Sequence, residues 1–177
     1  MKEGQIMDFI TLAKNRYSVR SYSEKQIEKD KINKILEAAY IAPSAKNKQS
    51  ARVYVVQSEE GIEKLRALTR CVYNAPTVMI IGYEESEQYV NEMEEGIVSG
   101  QQDASIVATH MMLEATELGI GSVWVDGFPN TKTAEVFNLP KSVKPVCLIP
   151  MGYAADDVKP SPMHEKYRPI EEMVKTL

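Results

Sequence analysis

The chain has 177 residues, enough for one domain with a sizeable core and cramped for two. Its net charge of −4 argues against general nucleic-acid binding, which leaves a basic stripe as its footprint, although basic residues do cluster locally. Cys71 and Cys147 form no CxxC pair, no apolar run approaches the ~20 residues that span a bilayer, and MKEGQIMDFITLAKNR lacks an uninterrupted apolar stretch, so a cytoplasmic protein is expected.

Residues 6–15 place Ile6, Phe9, Ile10 and Ala13 on one face at helical spacing, predicting a first helix. The segment RYSVRSYS follows; if it is extended, Arg16, Ser18 and Arg20 project to one side. Two guanidinium forks and a hydroxyl suit a phosphate or another planar anion, and two solvated surface arginines are the competing reading. Ser23 is expected to cap a helix reaching about Ile41, with Ile27, Ile32, Ile35, Leu36 and Ala39 apolar and Pro43 closing it. The next segment, APSAKNKQSA, reads as a polar loop in which Asn47 and Gln49 alternate. Their amides both donate and accept, so they suit a ring edge that does the same; ordinary loop polarity is the alternative.

ARVYVVQS is β-branched and aromatic, hence a strand, Gly61–Arg70 reads as a helix, and TVMIIGY as a buried strand. Residues 84–102 are polar, with Glu92, Glu94 and Glu95, and are expected to form a mobile loop or a partly exposed helix. Residues 103–119 predict a helix in which Ile106, Val107, Met111, Met112, Leu113, Ala115 and Leu118 cover most of the circumference. Such a helix is buried on nearly all sides, by a partner copy or by its own domain wrapped around it. Gly119 and Gly121 end it, SVWVDGF reads as a strand entering a turn at Asp126-Gly127, Thr131–Phe137 as a short helix, and VCLIPMGY as a buried strand. The Pro-rich, charged tail reads as an extended arm with a final helical turn, and it carries a second cationic pair, Lys166 and Arg168. Strands and helices that fail to alternate point to an α+β fold rather than a doubly wound sheet.

Several chemistries lack their signatures. There is no G-x-x-x-x-G-K-[ST] loop, no G-x-G-x-x-G opening a helix after a strand, and no G-x-S-x-G elbow. His110 and His164 have no neighbours at metal-ligand spacing, so no metal site is expected. Reactivity, if there is any, then comes from a bound cofactor.

In order along the chain, Arg16-x-Ser18-x-Arg20, Pro43-Ser44-x-x-Asn47-x-Gln49, an Asp103-headed helix ending in LGIGSVW, Asp126-Gly127-Phe128 and a basic C-terminal arm resemble the nitroreductase family of FMN-dependent oxidoreductases. The resemblance spans nearly the whole chain. It implies a mixed central sheet surrounded by helices, in an intertwined homodimer that binds two FMN at its interface and exchanges its C-terminal arms. It implies an FMN site in which the segment Arg16, Tyr17, Ser18 meets the phosphate and ribityl end, with Lys166 and Arg168 as a second phosphate-binding pair. Arg20 would lie near the N1/C2=O edge of the flavin, where a cation stabilises the anionic reduced ring. Asn47 and Gln49 would bond the pyrimidine ring, Pro43 and Ser44 would shape their loop, and Trp124, Val125, Asp126 and Gly127 would line the flavin face with a backbone N–H near N5.

The implied activity is two-step: NADH or NADPH gives hydride to flavin N5 and leaves, and a small acceptor such as a nitroaromatic or quinone is then reduced. No side-chain acid, base or nucleophile is required. Reductive dehalogenation or flavin breakdown on the same fold, and a non-catalytic flavin-binding sensor or store, are the alternatives. The chain departs from the family pattern at Ser50-Ala51, where Pro-Trp often stands, and it is too short for the long insertion that often lids the substrate site.

Overall fold

A computed structural model describes residues 8–177; Ile6, expected on the first helix, lies outside them. Helix α1 spans Phe9–Asn15, capped by the Asp8 carboxylate, which accepts from the Thr11 amide. After it come α2 (Lys29–Tyr40), β1 (Ala51–Val56), α3 (Glu59–Leu68), β2 (Thr77–Glu84), α4 (Gly100–Glu117), β3 (Gly121–Ser122), α5 (Asn130–Val136), β4 (Val143–Gly152) and α6 (Ile170–Met173). No helix among the described residues is long and apolar enough to cross a membrane.

The strands form one sheet in the order β1-β2-β4-β3. Every strand pairing is antiparallel, and the one parallel pairing among the described residues is the isolated Ser18–Ser122 bridge. Strand β2 is an unbroken apolar run because both of its faces are covered. Met79 and Ile81 join Ile149 and Met151 of β4 against Ile32 and Ile35 of α2 and Val107, Met111 and Ala115 of α4. On the other face Val78, Ile80 and Leu148 pack with Ile62 and Leu65 of α3 and with Val125 and Phe128.

Three expectations are corrected. Helix α2 begins at Lys29, not after Ser23. The Ser23 amide instead donates to Tyr153 O at 2.9 Å, Tyr22 bridges Ala154, and Ile27 is buried, so residues 22–23 pair with the chain just past β4 and residues 24–28 remain non-helical. The Tyr153 hydroxyl then donates to the Glu28 carboxylate at 2.6 Å, fixing the residue that precedes the first turn. Residues 84–102 form neither a free loop nor a helix along their length. They fold back on themselves through a Val90–Val98 bridge, with Ser99 N donating to Tyr89 O, and α4 starts at Gly100. The segment SVWVDGF is ladder-paired only at Ser122; beyond it, Val123 N donates to Pro150 O, and Val125 exchanges two hydrogen bonds with Leu148 in an isolated antiparallel bridge.

Helix α4 presses Val107, Met111, Met112 and Ala115 into the core. Ala104 and Ala108 are buried with them, whereas Ile106 and Leu113 are only half-buried, and Phe9 and Ile10 on α1 are 64% and 59% exposed.

Candidate functional site

The R-x-S-x-R segment is locked against the edge of the sheet. Val19 N donates to Ser122 O at 3.0 Å, and Val19 itself is buried. Gly121 makes this approach possible, since a Cβ there would stand 2.7 Å from Val19 Cγ2. The Tyr22 hydroxyl lies 2.7 Å from Val19 O and 3.1 Å from Pro150 O, tying the same turn to β4. Burial pushes its pKa far up, so it remains a protonated donor.

With Val19 and Tyr22 turned inward, Arg16, Ser18 and Arg20 line a cleft of about 470 Å³. Its other wall is the C-terminal arm, through Ser161, Met163, His164, Lys166 and Tyr167, and Tyr17 completes it. The arm is fastened by His164, whose Nε2 lies 2.9 Å from Lys14 O and whose ring meets Tyr17 edge-on at 6.1 Å. Among the described residues no carboxylate pairs with Arg16, Arg20 or Lys166. Three cations and a hydroxyl thus converge with no ion-pair partner among the described residues. Arg168 stands apart: it lines no part of the cleft and lies 3.6 Å from Glu172.

The loop holding Pro43, Ser44, Asn47 and Gln49 lies elsewhere. It contains a 3₁₀ turn, Ala45–Asn47, and places Lys46, Asn47 and Gln49 at φ of 48°, 54° and 52°, the left-handed region that costs non-glycine residues. Ser44 Oγ accepts from Gln49 N at 2.9 Å, and the Asp103 carboxylate accepts from Ala45 N at 3.0 Å. The side chains of Asn47 and Gln49 are exposed.

Sheet register gives the distance between the two places. Ser18 bridges Ser122, which pairs with Met151, which pairs with Thr77; at the other end of β2, Tyr83 pairs with Ala51. Four strand spacings across and six residues along separate Ser18 from the amide loop by roughly 25–30 Å. Within one chain the phosphate-like cleft and the amide loop occupy opposite corners.

The turn at Asp126-Gly127 is rigidly held. Trp124 Nε1 donates to Asp126 Oδ1 at 2.7 Å, Phe128 N to Asp126 O at 2.9 Å, and Thr69 Oγ1 to Gly127 O at 2.7 Å; Val125 is buried. Thr69, His164 and Arg52, which grips the end of the amide loop, carried no sequence signal, because their partners are distant in the chain or are backbone atoms. Among the described residues no three His, Cys, Asp or Glu side chains gather as metal ligands.

Comparison with known proteins bears on this arrangement. The model of the nitroreductase family matches residues 13–72 and 69–153. A curated relative from Methanothermobacter thermautotrophicus, provisionally named NADH dehydrogenase/NAD(P)H nitroreductase, is 30% identical over 158 residues, covering 85% of this chain and 80% of the relative. The crystal structure of a nitroreductase family protein from Clostridium difficile 630 is 38% identical, with a TM-score of 0.90 over 97% of this chain and all of that one. The structure of an FMN-dependent nitroreductase from Clostridium difficile R20291 is 27% identical, with a TM-score of 0.72 over 90% of this chain and 98% of its own.

Proposed function

The chain belongs to the nitroreductase family, and from that membership we propose that it is an FMN-dependent NAD(P)H oxidoreductase that reduces a small organic acceptor of the nitroaromatic or quinone kind. The observation that carries the reading is the cleft where Arg16, Ser18 and Arg20 meet Lys166, none of the three cations paired to a carboxylate among the described residues. Its donor set fits a phosphate, with the Arg16 guanidinium fork, the Lys166 ammonium and the Ser18 hydroxyl around one concavity and the Arg20 cation beside them.

FMN, when bound, supplies the two-electron chemistry of the reaction. The chain's own residues bind and orient. Arg16, Ser18 and Lys166 hold the phosphate, with Tyr17 at the cleft wall. Arg20, on the same cleft, would present its cation to the N1/C2=O edge, where positive charge would favour the reduced ring. Trp124, Asp126 and Gly127 would line the ring face, with buried Val125 anchoring the segment beneath them, and the Thr69 bond would keep the Gly127 backbone in place for N5.

The site is completed by a second copy. Asn47 and Gln49, on the loop shaped by Pro43 and Ser44, stand too far from their own cleft to meet the same cofactor, so they serve the partner's. The half-covered side chains of α4 and the exposed Phe9 and Ile10 supply apolar surface for a homodimer. Ile170, Met173 and Val174, exposed where the arm has left its own cleft, fit an exchange of the arm's end onto the other subunit, and Arg168, 3.6 Å from Glu172, is left outside the phosphate site. The free thiols of Cys71 and Cys147 suit a reducing, cytoplasmic setting.

The purified protein is expected to be yellow and to bleach on anaerobic addition of NADH or NADPH. A colourless protein that takes up no added FMN refutes the reading. Bound flavin that neither nicotinamide reduces makes the protein a sensor or store.

A further inference from the structure

We propose that Asp103 and Arg52 are positioning residues that set the amide loop, and with it the hydrogen bonds Asn47 and Gln49 offer the flavin ring; this rests on the functional reading above. The loop is gripped by opposite charges at complementary backbone groups. Asp103, 2% exposed in the first turn of α4, accepts from Ala45 N at 3.0 Å, from Ser99 Oγ at 2.7 Å and from Ser50 Oγ at 3.5 Å. The start of a helix suits its charge. Arg52 takes the carbonyls: its Nη1 lies 3.2 Å from Gln49 O, 3.2 Å from Ser50 O and 3.0 Å from Ala51 O. Its Nη2 is paired to Glu87, and Lys46 lies over the Tyr89 ring at 5.3 Å, so the folded-back segment braces the loop from outside.

Between these grips Lys46, Asn47 and Gln49 hold left-handed backbone angles, which persist only where the surroundings over-determine them. Neither Asp103 nor Arg52 need touch the flavin. Their charges act on the backbone, and the backbone aims the amides.

The test uses the FMN-loaded protein. Asp103→Ala and Arg52→Met are each made alone and on an Asn47→Ala/Gln49→Ala background, and the flavin midpoint potential and FMN affinity are measured. Each single variant should make the potential more negative and weaken FMN binding about two- to tenfold, the worth of a neutral hydrogen bond. On the background lacking both amides, neither substitution should move the potential further. An unchanged potential, or shifts that add on that background, overturns the proposal, because direct electrostatics or general loosening would persist without the amides. If Asp103→Ala does not fold, Arg52→Met, on a partly exposed side chain, decides the matter alone. Wild type that binds no FMN refutes the functional reading itself, whereas yellow wild type with unmoved variants refutes only this inference.

Discussion

Replacing Arg16 by Ala removes the half-buried cation of the phosphate-like cleft, and replacing Lys166 removes an exposed one from the opposite wall. A hydrogen bond to a charged group contributes about 1.5–3 kcal/mol, and Arg16 falls inside that range because it is partly shielded from water. Lys166 is exposed and screened, so about 1 kcal/mol is a fair value for it. Arg16→Ala should therefore weaken FMN roughly tenfold to a hundredfold, and Lys166→Ala about fivefold. The double variant should fall short of the product, because both groups meet one phosphate. Flavin fluorescence titration reads this directly, and riboflavin is the control. Riboflavin lacks the phosphate, so its affinity should hardly change while the advantage of FMN over it collapses. FMN and riboflavin affinities falling in parallel would mean that Arg16 serves the fold or the ring, and the phosphate would have been placed wrongly.

Gly121→Ala should push Val19 and displace the Arg16–Arg20 segment, since the new Cβ would stand 2.7 Å from a Val19 methyl. FMN uptake should drop, and a second substitution, Val19→Ala, should restore much of it; uptake unaffected by Gly121→Ala would show that the segment tolerates movement. The Glu28 carboxyl is held down to about 2, first by the Tyr153 hydroxyl and then by Lys25. A carboxylate with a lowered folded pKa stabilises the fold fully above its ordinary value near 4.5 and loses that contribution as pH falls through about 2. The melting-temperature deficit of Glu28→Gln should thus be largest above pH ~5 and shrink toward pH 2; a deficit independent of pH would deny the charge a role.

Elements whose local pattern agreed with their burial were legible from sequence. TVMIIGY is an apolar run because β2 is covered on both faces, and α3, expected over Gly61–Arg70, is present but lies two residues earlier, at Glu59–Leu68. The errors came where distant partners overrode local chemistry. Ser23 has the chemistry of an N-cap, but its amide is taken by Tyr153, far along the chain. Residues 84–102 look like open loop by composition, yet backbone pairing between Val90 and Val98 closes them. The site divides in the same way. Arg16, Ser18 and Arg20 stand out by spacing, and Lys166 by its charge on the arm. Their meeting in one cleft depends on His164 finding a carbonyl 150 residues away, and no spacing rule encodes that. Asp103 was visible only as the head of a helix; its grip on Ala45 and Ser50 belongs to the fold.

The central claim is a cofactor site built from the cleft of one copy and the amide loop of another, and subunit complementation tests it most directly. One chain carries Arg16→Ala and Arg20→Ala; the other carries Asn47→Leu and Gln49→Leu, and each is of low activity alone. Random mixing makes about half the dimers mixed, and in each of these one site carries all four lesions and the other none. NAD(P)H-dependent turnover should then rise to about a quarter of the wild-type value. Activity that stays at the average of the two parents would mean that each chain builds its own site, and the shared-site account would be wrong.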